Sequence, residues 1–91
     1  MLSITASREV TMAPRDTYRY VLRDGRKVVQ YGITDDLERR EEEHDADDKR
    51  FTSMTPVGPR VTRETAEAWE QERIDVYKRT HEGRPPRYNK S

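Results

Sequence analysis

The feature that most constrains this chain is the dipeptide Asp24-Gly25, set between two runs rich in β-branched and aromatic residues. Thr17-Tyr-Arg-Tyr-Val-Leu22 precedes it and Lys27-Val-Val-Gln-Tyr-Gly-Ile33 follows it. Such side chains lose rotamer freedom in a helix and pack well on a pleated surface. Asp-Gly supplies the positive φ of a tight hairpin turn. Residues 17–33 are therefore predicted to form a β-hairpin, and two registers are open. A two-residue turn at Asp24-Gly25 pairs Tyr20 with Val29 and Tyr18 with Tyr31, which puts the three tyrosines on one face. A three-residue loop with a bulge at Gly25 shifts the pairing by one and sets Gln30 opposite Tyr20.

Two helices follow by pattern. Gly32 ends the second run. Asp35 or Asp36 then offers a carboxylate to the free amides of a first turn, which predicts a helix over residues 36–46. Leu37, Arg40, Glu41 and His44 fall on one side of it. A guanidinium and an imidazole one turn apart, just past a glycine, suit a polar site; the plainer alternative is a solvated charged face. Thr62 opens a second helix, with Glu64 in its first turn where the dipole favours it, running to about Arg79 or Thr80. His81 suits the negative end of that dipole, and Gly83 suits the stop beyond it. Between the helices a short strand is predicted around Phe51 to Val57. Pro56 and Pro59 confine it to an edge. Residues 1–16 read as an arm, with Leu2-Ser3-Ile4-Thr5 alternating as a short strand would.

Composition narrows the function. The chain is 40% charged and 31% hydrophobic, a balance that approaches that of disordered chains. Zero formal net charge, patterned apolar residues and two capped helix starts favour a single small domain with a modest core. Absence of cysteine excludes disulfides and thiolate metal sites. No apolar run approaches the roughly 20 residues needed to span a bilayer. Residues 1–16 lack a charged start followed by an apolar block, so a cytoplasmic location without a membrane partner is expected.

Glu70 is the anomaly. Ala66, Glu70, Ile74 and Tyr77 share one stripe of the second helix, so a carboxylate interrupts the apolar face. A buried carboxylate is normally paired or holds a metal. Glu70 either pairs with an arginine at the stripe's margin or serves a site.

Taken together these residues resemble the GIY-YIG nuclease domain, from about Thr17 to Asn89. Tyr-Arg-Tyr20 resembles the first signature and Gln30-Tyr31-Gly32 the second. Arg40 falls in the place of the family's helix arginine, and His44 matches a histidine frequent one turn later. Ala66-Glu-Ala-Trp-Glu70 resembles the approach to the metal-binding glutamate, and Pro86-Arg-Tyr-Asn89 the closing motif. The chain departs from the pattern at Gln30, which stands where the second signature has its tyrosine. Tyr31 could replace that phenol only in a register that turns it toward Tyr20.

The resemblance implies an α+β fold, a three-stranded antiparallel sheet flanked by helices, over residues 17–91. It implies an endonuclease that hydrolyses phosphodiesters, with DNA the expected partner and one Mg²⁺ or Mn²⁺ on Glu70. Arg40 would meet the phosphate and Tyr20 or Tyr31 would take a proton from water. His44 would orient or assist, and Asn89 would hold the site together. Arg60, Arg63, Arg84, Arg87 and Lys90 could rim a phosphate track, and a protein partner could supply specificity.

Overall fold

The computed structural model describes residues 14–89. The expected arm over residues 1–16 lies almost wholly outside the described residues, as do its strand at Leu2 to Thr5 and the rim residue Lys90. Five elements follow in order: β1 (Tyr18–Asp24), β2 (Lys27–Thr34), α1 (Leu37–Ala46), β3 (Ser53–Pro56) and α2 (Arg63–Thr80). The strands form an antiparallel sheet in the order β2-β1-β3, so the chain has a mixed α+β fold.

The hairpin takes neither expected register. Asp24 pairs with Lys27, so the two-residue loop is Gly25-Arg26. Gly25 holds φ +65° at the first loop position, where a type II′ turn carries its glycine. An uninterrupted ladder from that turn would set Tyr31 opposite Tyr20. A bulge interrupts it. Leu22 pairs with Gln30 while Arg23 pairs with Val28, which leaves Val29 as the extra residue. Beyond it Tyr20 pairs with Gly32 and Val21 with Tyr31. One inserted residue reverses the alternation, so Gln30 shares the Tyr20 face and Tyr31 does not.

Gly32 gives the reason for that register. The Tyr20 ring lies across β2 at this position, and a Cβ built on Gly32 would fall inside the ring. Tyr20, Leu22 and Val29 are buried as one cluster, with Leu37, Phe51, Met54 and Tyr88 packed against it. Full burial of such side chains contributes about 1.5–3 kcal/mol each. The opposite face belongs to α2. Ala66 and Ile74 are buried there, and Trp69 meets the Tyr31 ring edge-on at 5.8 Å between centroids.

The helix starts are capped as the sequence predicts. Asp36 Oδ1 accepts from Arg39 N at 3.0 Å and Thr62 Oγ1 from Thr65 N at 3.2 Å. Asp35, the other candidate cap, pairs instead with Arg39 at 2.7 Å. β3 is shorter than expected. It pairs with β1 from Ser53 to Pro56 only, and Pro56, without an N–H, is tolerated on this edge. A further bridge between Thr17 and Val61 ties the start of β1 to the approach to α2.

Gly32→Ala should lower stability by about 1–3 kcal/mol, because Tyr20 is buried and cannot swing aside. Thermal melts should show a drop of roughly 5–15 °C. An unchanged melting temperature would mean the ring does not rest on this glycine.

Candidate functional site

The site is built outward from Tyr20. Its ring crosses Gly32 and delivers the hydroxyl to His44 Nε2 on α1, 2.7 Å away. Both residues are buried, at 2% and 3% exposure. The other ring nitrogen, His44 Nδ1, lies 2.9 Å from Lys49 Nζ, just beyond the end of α1. Lys49 Nζ also donates to Gln30 Oε1 at 3.1 Å. Four side chains from β1, β2, α1 and the following loop thus form one hydrogen-bonded row. Gln30, where the family resemblance expects a tyrosine, is an acceptor that orients a lysine. Lys49 was not visible as a site residue in the sequence, because a single lysine past a helix end has no periodic signature.

Arg40 and Glu70 both act on the Tyr20 hydroxyl. Burial pushes that phenol up to about 12; the Arg40 charge opposes the rise, and the Glu70 and Glu43 carboxylates add to it. The guanidinium of α1 and the carboxylate of α2 therefore lie within electrostatic reach of the hairpin's phenol. Arg40 Nη1 pairs with Glu43 Oε1 at 3.2 Å, while its Nε is buried with no partner among the described residues. An unsatisfied buried donor on a cation favours an incoming anionic acceptor.

Glu70 is half-buried and makes no hydrogen bond or ion pair among the described residues. Its neighbour one turn back, Glu67, takes the arginine instead, with Arg63 Nε 3.3 Å away. Burial raises the Glu70 carboxyl above its ordinary value, Glu67 adds to the rise, and Arg63 opposes it. No group of three or more His, Asp or Glu converges among the described residues. A lone unpaired carboxylate suits a divalent ion that keeps most of its waters; it does not suit an all-protein cage.

The remaining expected residues lie elsewhere. Tyr31 sits against Trp69 on the far face, so the phenol it would bring to Tyr20 is not there. Asn89 acts on backbone. Its Oδ1 accepts from Tyr31 N at 2.8 Å and its Nδ2 donates to Tyr31 O at 2.9 Å. Tyr88 N donates to Val29 O at 2.8 Å. The tail therefore holds the outer edge of β2, and its Tyr88 ring packs against the core cluster beside Lys49.

A cleft opens at the far end of α2, lined by Lys27, Tyr77, His81, Arg84, Pro85 and Arg87. Among the described residues, no carboxylate lines it. Arg84 and Arg87 were expected on a basic rim; Lys27 and the stacked Tyr77–His81 pair, 3.6 Å between centroids, were not. Tyr77 follows Glu70 by two turns, about 10 Å along the helix.

The chain matches no family model, no curated protein and no solved structure.

Two measurements test these environments. A raised carboxyl means that the ionised Glu70 is disfavoured by folding, a cost that appears as pH rises through its folded value. Glu70→Gln should therefore raise the melting temperature at neutral pH, whereas a supporting ion pair would give a fall. His44 has the opposite sense. Burial, then the Lys49 and Arg40 charges, depress the ring to about 4. The neutral ring adds stability above its unfolded value near 6.5, and that stability is lost as pH falls toward 4. Across that window His44→Gln should flatten the fall in urea-unfolding stability relative to wild type, and parallel curves would refute the assignment.

Proposed function

We propose that this chain is a metal-dependent endonuclease of the GIY-YIG type, hydrolysing phosphodiester bonds of nucleic acid, with DNA the favoured substrate. The likeness of its sheet and helices to that family's fold is part of the proposal. One observation carries it: the charges of Arg40 on α1 and Glu70 on α2 both act on the buried hydroxyl of Tyr20. A divalent Mg²⁺ or Mn²⁺ bound at Glu70 would neutralise charge on the phosphate and its leaving oxygen.

The chain's own residues do the rest. Arg40 exchanges Glu43 for a phosphate oxygen, and its buried Nε gains the acceptor it lacks. In its phenolate form, Tyr20 accepts a proton from the attacking water at Oη. With its pKa near 12 that phenol is almost wholly protonated at neutral pH, which makes turnover slow. His44 orients it. Asn89 fixes β2, whose Gly32 makes room for the ring. The cleft at the end of α2, lined by no carboxylate among the described residues, gives a nucleic-acid backbone a place to run, and a protein partner would supply selectivity.

Gln30 and the orientation of Tyr31 support a second reading, a nucleic-acid-binding module with weak or no catalysis, because the row holds one phenol where the family has two.

Supercoiled plasmid should be nicked slowly in Mg²⁺ or Mn²⁺. Glu70→Ala and Arg40→Ala should each reduce nicking by at least about 10²-fold while the melting curve stays cooperative. No nicking by folded protein, with DNA binding that weakens steeply as salt rises, would select the second reading. Absence of both would remove both.

A further inference from the structure

We infer that Lys49 is a positioning residue that fixes the His44 imidazole in its Nε2–H tautomer, so that the ring donates a hydrogen bond to the Tyr20 oxygen. The assignment follows from what each group can do. A lysine ammonium carries donors and no acceptor. At 2.9 Å from Lys49 Nζ, His44 Nδ1 must therefore offer its lone pair. A ring protonated on both nitrogens could not accept that bond, so the ring is neutral and its one proton lies on Nε2. At 2.7 Å the only role left to the Tyr20 oxygen is acceptor. The phenol's own hydrogen then points away from the imidazole.

Lys49 is itself held from two sides. Gln30 Oε1 accepts from its Nζ at 3.1 Å, and the ammonium lies 5.5 Å from the centre of the Tyr88 ring, within cation–π range. Four charged groups act on the ring. Lys49 and Arg40 disfavour a second proton, while Asp47 and Glu43 favour it, and burial decides for the neutral form.

The tautomer matters because the two alternatives give Tyr20 opposite roles. A ring with Nδ1–H would accept the phenol's hydrogen at Nε2 and occupy it. The Nε2–H ring leaves that hydrogen free and places a donor against the oxygen, which favours the phenolate over the phenol. On this account Gln30 is the brace for the lysine that sets the polarity of the row. The tautomer itself is independent of what the protein does. Only its kinetic consequence rests on the nuclease reading.

Two-bond proton–nitrogen correlation spectra of ¹⁵N-labelled protein near neutral pH read the tautomer directly. Wild type should show a pyridine-like Nδ1 and a pyrrole-like Nε2 for His44. Lys49→Met should mix the two forms or reverse them, and Lys49→Arg, which keeps a donor, should restore the wild-type pattern in part. A pyrrole-like Nδ1 in wild type overturns the inference without any variant, as does an unchanged ring in folded Lys49→Met. In the nicking assay, Lys49→Met should lower kcat roughly ten- to hundredfold with little change in KM. The two proposals fail separately. The expected ring pattern in a protein that never nicks DNA upholds the Lys49 assignment and ends the nuclease reading. Nicking by a protein with the reversed tautomer does the opposite.

Discussion

Tyr20 crosses its neighbouring strand because residue 32 has no side chain to block it. That contact organises much of the molecule. It carries a phenol from the central strand over β2 to His44 on α1, while Leu22, two residues on, anchors the same face. It also demands the bulge at Val29, since an even ladder from the Gly25-Arg26 loop would put Tyr31 under the ring. A glycine and an extra residue together decide which face of β2 carries chemistry and which packs against α2.

Surface charge contributes little to holding this arrangement. The ion pairs among the described residues are exposed and mostly one helical turn apart, a class worth about 0–1 kcal/mol each. The fold rests on a small aromatic and aliphatic cluster, on capped helices and on side chains that satisfy strand backbone. The polar row through Tyr20, His44, Lys49 and Gln30 runs beside that cluster, and a row so enclosed is kept only when its members are satisfied. The Nε atoms of Arg19 and Arg40 are exceptions, buried without a hydrogen-bond partner, and Glu70 makes no hydrogen bond or ion pair among the described residues. Of these groups, Arg40 and Glu70 both act on one phenol, Tyr20, and perturbed groups of that kind are frequent at functional sites.

Local rules made much of the fold legible in the sequence. Asp36 and Thr62 cap by short-range geometry, and the alternation through Thr17–Leu22 and the Asp-Gly signal give strands and a turn. The order of Tyr20, Arg40 and Glu70 along the chain singles them out as candidates, and the fold adds that the two charges act on the one phenol. The register could not. A bulge costs no recognisable residue, and Val29 looks like any strand valine; only the fit of Tyr20 over Gly32 selects it. The face of Tyr31, which the two registers considered for the hairpin left open, depends on that bulge. Lys49 escaped notice because its partners come from β2 and α1, far apart in sequence, and Tyr77 with Lys27 because a cleft between hairpin and helix end is a tertiary feature.

Asn89 has a consequence beyond the site. An outermost strand exposes unpaired amides and carbonyls that can recruit a foreign strand. At Tyr31 the Asn89 carboxamide imitates a neighbouring peptide, and Tyr88 repeats the gesture at Val29. On the other flank β3 is four residues long and ends in proline. Both margins of the sheet are thereby blunted against polymerisation, and this lets so small a sheet carry so little apolar cover.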